Sequence, residues 1–273
     1  MPDLSALTGD IAIIGVGNMG GAMLAGLLDA GLPAERIRVA DPGAADRAAT
    51  LFGVTAAPDA AQAALGASAI IVAVKPPKVR EVLTQMAPQI GPDTLVISVA
   101  AGIAIADLQD WLDAPSNPAP AVVRAIPNTP ARLRQGVTAV ARGTNVSDAQ
   151  MDAALAALEA IGTVVTVDEP QMAAVSAVSG CGPAYLFLVA EAMTEAGVRL
   201  GLSRADASRL VTGTFVGSSA LLATGESPTE LRAQVTSPGG TTAAAIFELE
   251  NRGVRAAFSA AMKATVDRSR ELG

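Results

Sequence analysis

Ile11-Ala12-Ile13-Ile14-Gly15-Val16-Gly17-Asn18-Met19-Gly20 decides the fold of this chain. A short apolar run ends in Gly-x-Gly-x-x-Gly, and a helical pattern over Met19–Ala30 follows at once. That order predicts a buried parallel strand turning into a helix beneath a pyrophosphate. Gly15 allows the tight turn, Gly17 lets the backbone approach the phosphates, and Gly20 lets the helix lie close to the strand. The helix start adds free N–H groups and a partial positive charge. Gly15, Gly17, Asn18, Met19 and Gly20 are therefore expected to bind a dinucleotide; a plain strand-to-helix turn is the alternative.

Outward from this turn, apolar runs and helical patterns alternate. Ile37–Ala40, Ala69–Val74 and Thr94–Val99 read as strands, the last two apolar enough to be buried on both faces. Between them Ala44–Phe52, Ala61–Leu65 and Lys78–Met86 read as helices, and Ile105–Leu112 follows as a fourth. A Pro/Asn/Ser loop at Pro115–Pro120 precedes strand-like Ala121–Ala125 and Val137–Ala141, an amphipathic helix Asp148–Ile161 and a last strand Thr163–Val167. The alternation predicts an α/β fold with a doubly wound, mostly parallel sheet. Ligands of such sheets sit outside the carboxyl ends of the strands, where Gly15–Gly20, Asp41, Lys75-Pro76 and Ser98–Gly102 fall. After Asp168 no convincing strand remains, and helical stretches are expected at 170–178, 183–200, 204–223, 227–234, 242–251 and 254–271. The expected domains are 1–168, binding the dinucleotide, and 169–273, all helical. Gly213 and Gly217, one turn apart, suggest a helix passing very close. A helical domain with so few large side chains needs a partner subunit to complete its core.

Composition removes several chemistries. The chain has 273 residues, of which 51% are hydrophobic, no histidine and a single cysteine, Cys181. No Ser-His-Asp triad, Cys-His pair or His/Cys zinc site can form within one chain, and no internal disulfide. The net charge of −7 without a basic run argues against nucleic acid as partner. Met1–Gly9 is polar and lacks a basic start, which predicts no secretory signal and a cytoplasmic protein. The most membrane-like run, Ala184–Val198, is broken by Glu191 and Glu195, so no membrane span is expected.

Five places carry candidate chemistry. Asp41 ends the second strand, where an acid accepts hydrogen bonds from ribose hydroxyls and repels a 2′-phosphate. It leans towards NADH, while nearby Arg47 keeps NADPH open. Val74-Lys75-Pro76 follows a buried strand, and Lys75 is expected along a cofactor or in solvent more than in proton transfer. Ala125-Ile126-Pro127-Asn128-Thr129-Pro130 is a rigid two-proline turn in which Asn128 serves turn structure or ligand contact. Ser179-Gly180-Cys181-Gly182-Pro183-Ala184-Tyr185 is a glycine turn into a helix, with Pro183 in the first turn and the sole tyrosine behind it. Ser237-Pro238-Gly239-Gly240-Thr241-Thr242 leads into another helix and reads either as an anion cradle or as a helix cap.

Taken in order, these segments resemble the pyrroline-5-carboxylate reductases, nearly end to end from Ile11 to Leu272. The most specific parts are Ser179–Tyr185 followed by Ser237–Thr242, and Ser98–Gly102 and Arg124–Pro130 also stand in family order. The resemblance implies a Rossmann-type domain followed by an all-helical dimerisation domain. Dimers would intertwine and often assemble into a decamer, with the active site between one subunit's cofactor domain and its partner's helices. It implies NADPH or NADH as cofactor, lined by Gly15–Gly20, Val74, Lys75, Pro76, Ala100, Ala101 and Gly102, with Asn128 near the nicotinamide. Ser237, Gly239, Gly240, Thr241 and Thr242 would bind the substrate, the backbone N–H groups of Gly240, Thr241 and Thr242 holding its carboxylate and the Thr242 hydroxyl facing the ring nitrogen as the catalytic group. The implied reaction is hydride transfer to the imine carbon of L-1-pyrroline-5-carboxylate, giving L-proline. Two departures stand out: Cys181 where the family usually has Ser, and Asp41 in place of a small polar or basic residue. A related imine or hydroxy-acid enzyme and a non-catalytic dinucleotide sensor are the alternatives. The hydroxy-acid enzymes rely on a helical-domain lysine, and the only Lys after Lys78 is Lys263.

Overall fold

The computed structural model describes residues 3–115, 117 and 120–272. Contacts divide the chain into two compact units. One runs to Gly180 and takes in the chain end from Thr265; the other is Cys181–Ala264.

The first unit is built on eight strands: β1 (Ile11–Ile14), β2 (Ile37–Ala40), β3 (Thr55–Ala56), β4 (Ala69–Val72), β5 (Leu95–Ser98), β6 (Ala121–Ile126), β7 (Gly136–Arg142) and β8 (Gly162–Thr166). They form one sheet in the order β3-β2-β1-β4-β5-β6-β7-β8. Every neighbouring pair is parallel except β6 and β7. Its helices are α1 (Asn18–Asp29), α2 (Ala45–Phe52), α3 (Ala60–Ala64), α4 (Pro76–Met86), α5 (Ile105–Leu112), α6 (Asp148–Glu159) and α7 (Met172–Val175). All four residues of β1 are buried. Ile11 and Ile13 join one core with Met23, Leu27 and Leu158, and Ala12 and Ile14 join another with Val79, Leu83 and Leu108. Successive strand residues point to opposite faces, so a strand apolar at every position needs a helical layer on each side. Each fully buried Ile or Leu contributes about 2 kcal/mol towards that arrangement.

Two features were not foreseen from sequence. β3 is a two-residue edge strand with no apolar run to announce it. The segment after β8 stays with the sheet beyond the end of the strand pattern. Met172 and Ala177 are buried, and Glu169 Oε1 accepts from the Ile105 N–H (2.6 Å) and from Arg124 Nη1 (3.2 Å). This segment ends in a π-helical turn, Ser176–Gly180. Within the predicted loop Pro115–Pro120, Ser116, Pro118 and Ala119 lie outside the described residues, and Asn117 pairs with Ala114.

The second unit is helical: α8 (Gly182–Arg199), α9 (Arg204–Leu222), α10 (Pro228–Gln234), α11 (Thr241–Asn251) and α12 (Val254–Leu272), whose last turns group with the first unit. Among its described residues, Ala207 and Val211 are the buried apolar side chains, whereas Phe187, Leu188, Val216 and Phe247 are each more than 60% exposed. A Cβ added at Gly213 or Gly217 meets no atom within 4 Å, so the close helix expected there is not supplied by this chain. The helical run Glu169–Arg199 corrects the sequence reading on one point. It is long and apolar enough to cross a membrane by length and composition, because the uncharged apolar stretch begins well before Ala184, at Met172, and runs on to Ala190. Little of that window is buried.

Candidate active site

The strand order reverses between β1 and β4, and a cleft of about 500 Å³ opens there at their carboxyl ends. Gly15, Gly17, Asp41, Val74 and Lys75 all line it, so the structure brings together residues that stand up to sixty positions apart in sequence. Gly15 has φ +91°, and a Cβ there would stand 2.9 Å from the Ala73 carbonyl oxygen. At Gly20 a Cβ would stand 1.8 Å from the Gly15 carbonyl oxygen, so only glycine lets α1 begin so close to the turn. Gly17 differs: a Cβ there meets no atom within 4 Å. It is the N-cap of α1 and provides no side-chain cap. The N–H groups of Asn18, Met19 and Gly20 form the first turn, where an α-helix supplies no partner of its own. Open space above an uncapped helix start fits a dinucleotide pyrophosphate.

Asp41 is held on both carboxylate oxygens. Oδ2 accepts from the Val16 N–H (3.0 Å), inside the glycine turn, and Oδ1 from the Gly43 N–H (2.9 Å). A carboxylate has about four acceptor positions, so ribose hydroxyls can still be received. Arg47 is exposed and is not among the cleft-lining residues. Lys75 is the N-cap residue of α4, with Pro76 as the helix's first residue. Lys78 also lines the cleft, but its ammonium pairs with Glu81 at 2.8 Å, and this hydrogen bond raises its pKa. Sequence reasoning missed Asp59, which lines the cleft while capping α3 through the Gln62 N–H (2.8 Å). The Asp-Ala-Ala-Gln pattern carried that capping signal.

Ala100, Ala101 and Gly102 follow β5, two strands along from β1, and are not among the residues lining the cleft. The Ala100 N–H lies 3.4 Å from Ser98 Oγ, and Gly102 takes φ +80°. Asn128 lies beyond β6, 9% exposed, with both ends of its amide engaged. Oδ1 accepts from the Val137 N–H (2.9 Å), and Nδ2 donates to the Ser179 carbonyl (3.1 Å).

In the second unit, Ser237–Gly240 forms the turn into α11. The Gly240 N–H donates to the Ser237 carbonyl (3.0 Å), Gly239 takes φ +68°, and Gly240 is the N-cap without a side-chain cap. Thr241 and Thr242 thus begin a helix whose first N–H groups are unclaimed by the helix itself. Tyr185 packs edge-on against Phe258, with ring centroids 6.3 Å apart.

The sheet and its switch-point cleft define a Rossmann-type dinucleotide-binding protein. Residues 10–102 match the family described as NADP oxidoreductase, coenzyme F420-dependent, and residues 169–272 match the pyrroline-5-carboxylate reductase dimerisation family. The chain is 44% identical over 266 residues to a pyrroline-5-carboxylate reductase of Pseudomonas aeruginosa, covering 96% of each protein. A solved pyrroline-5-carboxylate reductase from Coxiella burnetii superposes with a TM-score of 0.92 at 36% identity, covering 97% of this chain and 99% of that one. A Plasmodium falciparum pyrroline carboxylate reductase with NADP bound gives 0.85 at 26% identity, covering 98% and 99%. The chain belongs to the pyrroline-5-carboxylate reductase family.

Proposed function

We infer that this chain reduces L-1-pyrroline-5-carboxylate to L-proline with NADPH or NADH, the last step of proline biosynthesis. The observation that carries the reading is the presence, in one chain of this family, of two uncapped glycine-turn helix starts. One lies in the cofactor cleft, and the other belongs to the helical unit. Bound reduced nicotinamide supplies the hydride. The dinucleotide is assigned to Gly15–Gly20, Asp41, Val74–Pro76 and Ala100–Gly102, with the nicotinamide end at the Asn128 turn. Backbone N–H groups at Thr241 and Thr242 receive the substrate carboxylate, with Ser237 and Gly239 shaping the turn. The Gly240 N–H, which closes the turn onto the Ser237 carbonyl, joins them only if that bond opens. The Thr242 hydroxyl serves the ring nitrogen, which gains a proton as the neighbouring carbon gains hydride. A protonated imine is already electrophilic, so the protein's task is to position the ring and exclude water. A chain without histidine is adequate for that.

Functionally we divide the chain at 1–168, for the dinucleotide, and 169–273, for dimerisation and substrate. The exposed apolar side chains of α8, α9 and α11 support a homodimer, and a decamer built from such dimers is the larger assembly in view. Covering that surface with a second copy accounts for the apolar run Glu169–Arg199 without a membrane. The chain is assigned to the cytoplasm, with no nucleic-acid partner. The test is NAD(P)H oxidation on adding the imine: turnover to proline is expected, and dinucleotide binding without turnover would instead favour a sensor.

A further inference from the structure

Ser179 ends the segment that precedes α8, and its carbonyl has lost its ordinary partner. In a continuing α-helix it would accept from the N–H of residue 183. Residue 183 is proline and has no N–H. A π-helical continuation would use the N–H of residue 184, but the Ala184 N–H donates to the Cys181 carbonyl (3.0 Å). The donor that reaches Ser179 comes from 51 positions upstream, Asn128 Nδ2 at 3.1 Å. The amide orientation follows from its partners. The Val137 N–H is a donor and must face Oδ1, while the Ser179 carbonyl is an acceptor and must face Nδ2.

We propose that Asn128 is a positioning residue: it supplies the hydrogen bond that Pro183 withholds from Ser179, and so fixes the turn Ser176–Gly180 at the carboxyl end of β6. The two-proline turn and the Ser-Gly-Cys-Gly-Pro motif are then halves of one device. Proline starts α8 and orphans a carbonyl; asparagine satisfies it. Asn128 suits this because one amide both accepts from the strand and donates to the turn. The half-buried Ser179 carbonyl would otherwise forfeit a hydrogen bond of about 0.5–1.5 kcal/mol. The inference rests on placing the nicotinamide end of the cofactor at the Asn128 turn.

The test is a double-mutant cycle on the full chain. Asn128→Ala removes the donor, and Pro183→Ala restores a backbone N–H that can replace it. Asn128→Asp is nearly isosteric; it keeps the acceptor for Val137 and sets an oxygen against the Ser179 carbonyl. Asn128→Ala and Asn128→Asp should each lower kcat about tenfold, the equivalent of one lost hydrogen bond. NAD(P)H affinity, read by its fluorescence, should fall by less than kcat does, since the amide acts through the turn. Asn128→Ala/Pro183→Ala should regain most of the lost kcat. A double variant no faster than Asn128→Ala overturns the proposal, as does a loss of dinucleotide affinity that accounts for the whole loss of activity. A wild-type chain that never reduces the imine sinks the functional reading instead. In that case, thermal midpoints of wild type, Asn128→Ala, Pro183→Ala and the double variant decide whether Asn128 and Pro183 are coupled.

Discussion

The two glycine turns, Gly15–Gly20 and Ser237–Thr242, open helices in the same way and are held in opposite ways. The first is locked by its own unit. The Gly15 N–H donates to the Ala40 carbonyl (2.8 Å), Asp41 grips the Val16 N–H, and Gly20 admits no Cβ. The second is closed locally: the Gly240 N–H donates to the Ser237 carbonyl (3.0 Å), a Cβ at Gly240 would meet Ser237 first, and Gly239 looks into open space. The cofactor turn is therefore complete within a single chain. The turn of α11 belongs to a unit whose apolar side chains are largely uncovered, the surface to which we assign a second copy. On the proposed reading, the same backbone chemistry would serve as a phosphate cradle in one place and as an assembly-dependent anion site in the other.

The largest effect should come from breaking the locked turn. Gly20→Val places a side chain on the Gly15 carbonyl, where α1 must move or the turn must open. Overpacking of this kind costs about 1–3 kcal/mol or more, and the displaced helix start loses its phosphate geometry. NAD(P)H affinity is expected to fall at least about a hundredfold on that geometry, measured by fluorescence titration beside a thermal melt. Retained affinity would show that the turn is less rigid than its packing implies.

Thr242→Ala tests the other turn. Loss of a positioned proton donor costs about a hundredfold in kcat, while dinucleotide affinity should be unchanged if the hydroxyl serves the substrate, as we propose. Thr242→Ser should recover much of the rate. Stopped-flow single turnovers separate this from slow product release; an unchanged hydride-transfer rate would remove Thr242 from the chemistry.

The asymmetry between the turns also explains what could be read from sequence. β1, β4 and β5 were legible because a strand buried on both faces must be apolar throughout, as Ile11–Ile14 is. The helices after Asp168 were legible from their spacing and caps. β3 was not, because an edge strand of two residues needs no pattern. The reversal of β7 was not either, since a strand's direction leaves no mark in its own composition. At the site, the glycine turn and Asp41 could be located, but not the carboxylate's grip on Val16, which spans 25 positions. Asn128 and Pro183 each announced a turn; the bond from Asn128 to the Ser179 carbonyl, 51 positions away, could not be read before the fold brought those two together.

A smaller effect is expected at Asp41, where the locked turn meets cofactor choice. Asp41→Ser removes the charge facing a 2′-phosphate and leaves the Val16 and Gly43 N–H groups to a shorter acceptor. The ratio of kcat/KM for NADPH to that for NADH should rise about tenfold, the scale of one unit charge at a few ångströms in a hydrated site. KM for both cofactors should rise modestly as the turn loosens. A wild-type enzyme much faster with NADPH, with no change in the ratio on substitution, would confine Asp41 to holding the loop.

The smallest effect lies in what holds α11 itself. Glu250 on α11 pairs with Arg255 on α12 (2.8 Å) and with Arg232 on α10 (3.7 Å). The hydrogen bond from Arg255, aided by the two guanidinium charges, lowers the Glu250 pKa below the ordinary 4.5. A carboxyl depressed on folding stabilises above its unfolded pKa, and that contribution is lost as pH falls through the folded value. These groups are partly exposed and salt screens them. Glu250→Gln should therefore lower the thermal midpoint only slightly at neutral pH and low salt, and not at all once pH is well below 4.5. The difference should also shrink in high salt. A large effect that survives both acid and salt would mean that packing around Glu250, and not its charge, frames the second turn. The two turns would then differ less in how they are held than in where the covering atoms come from.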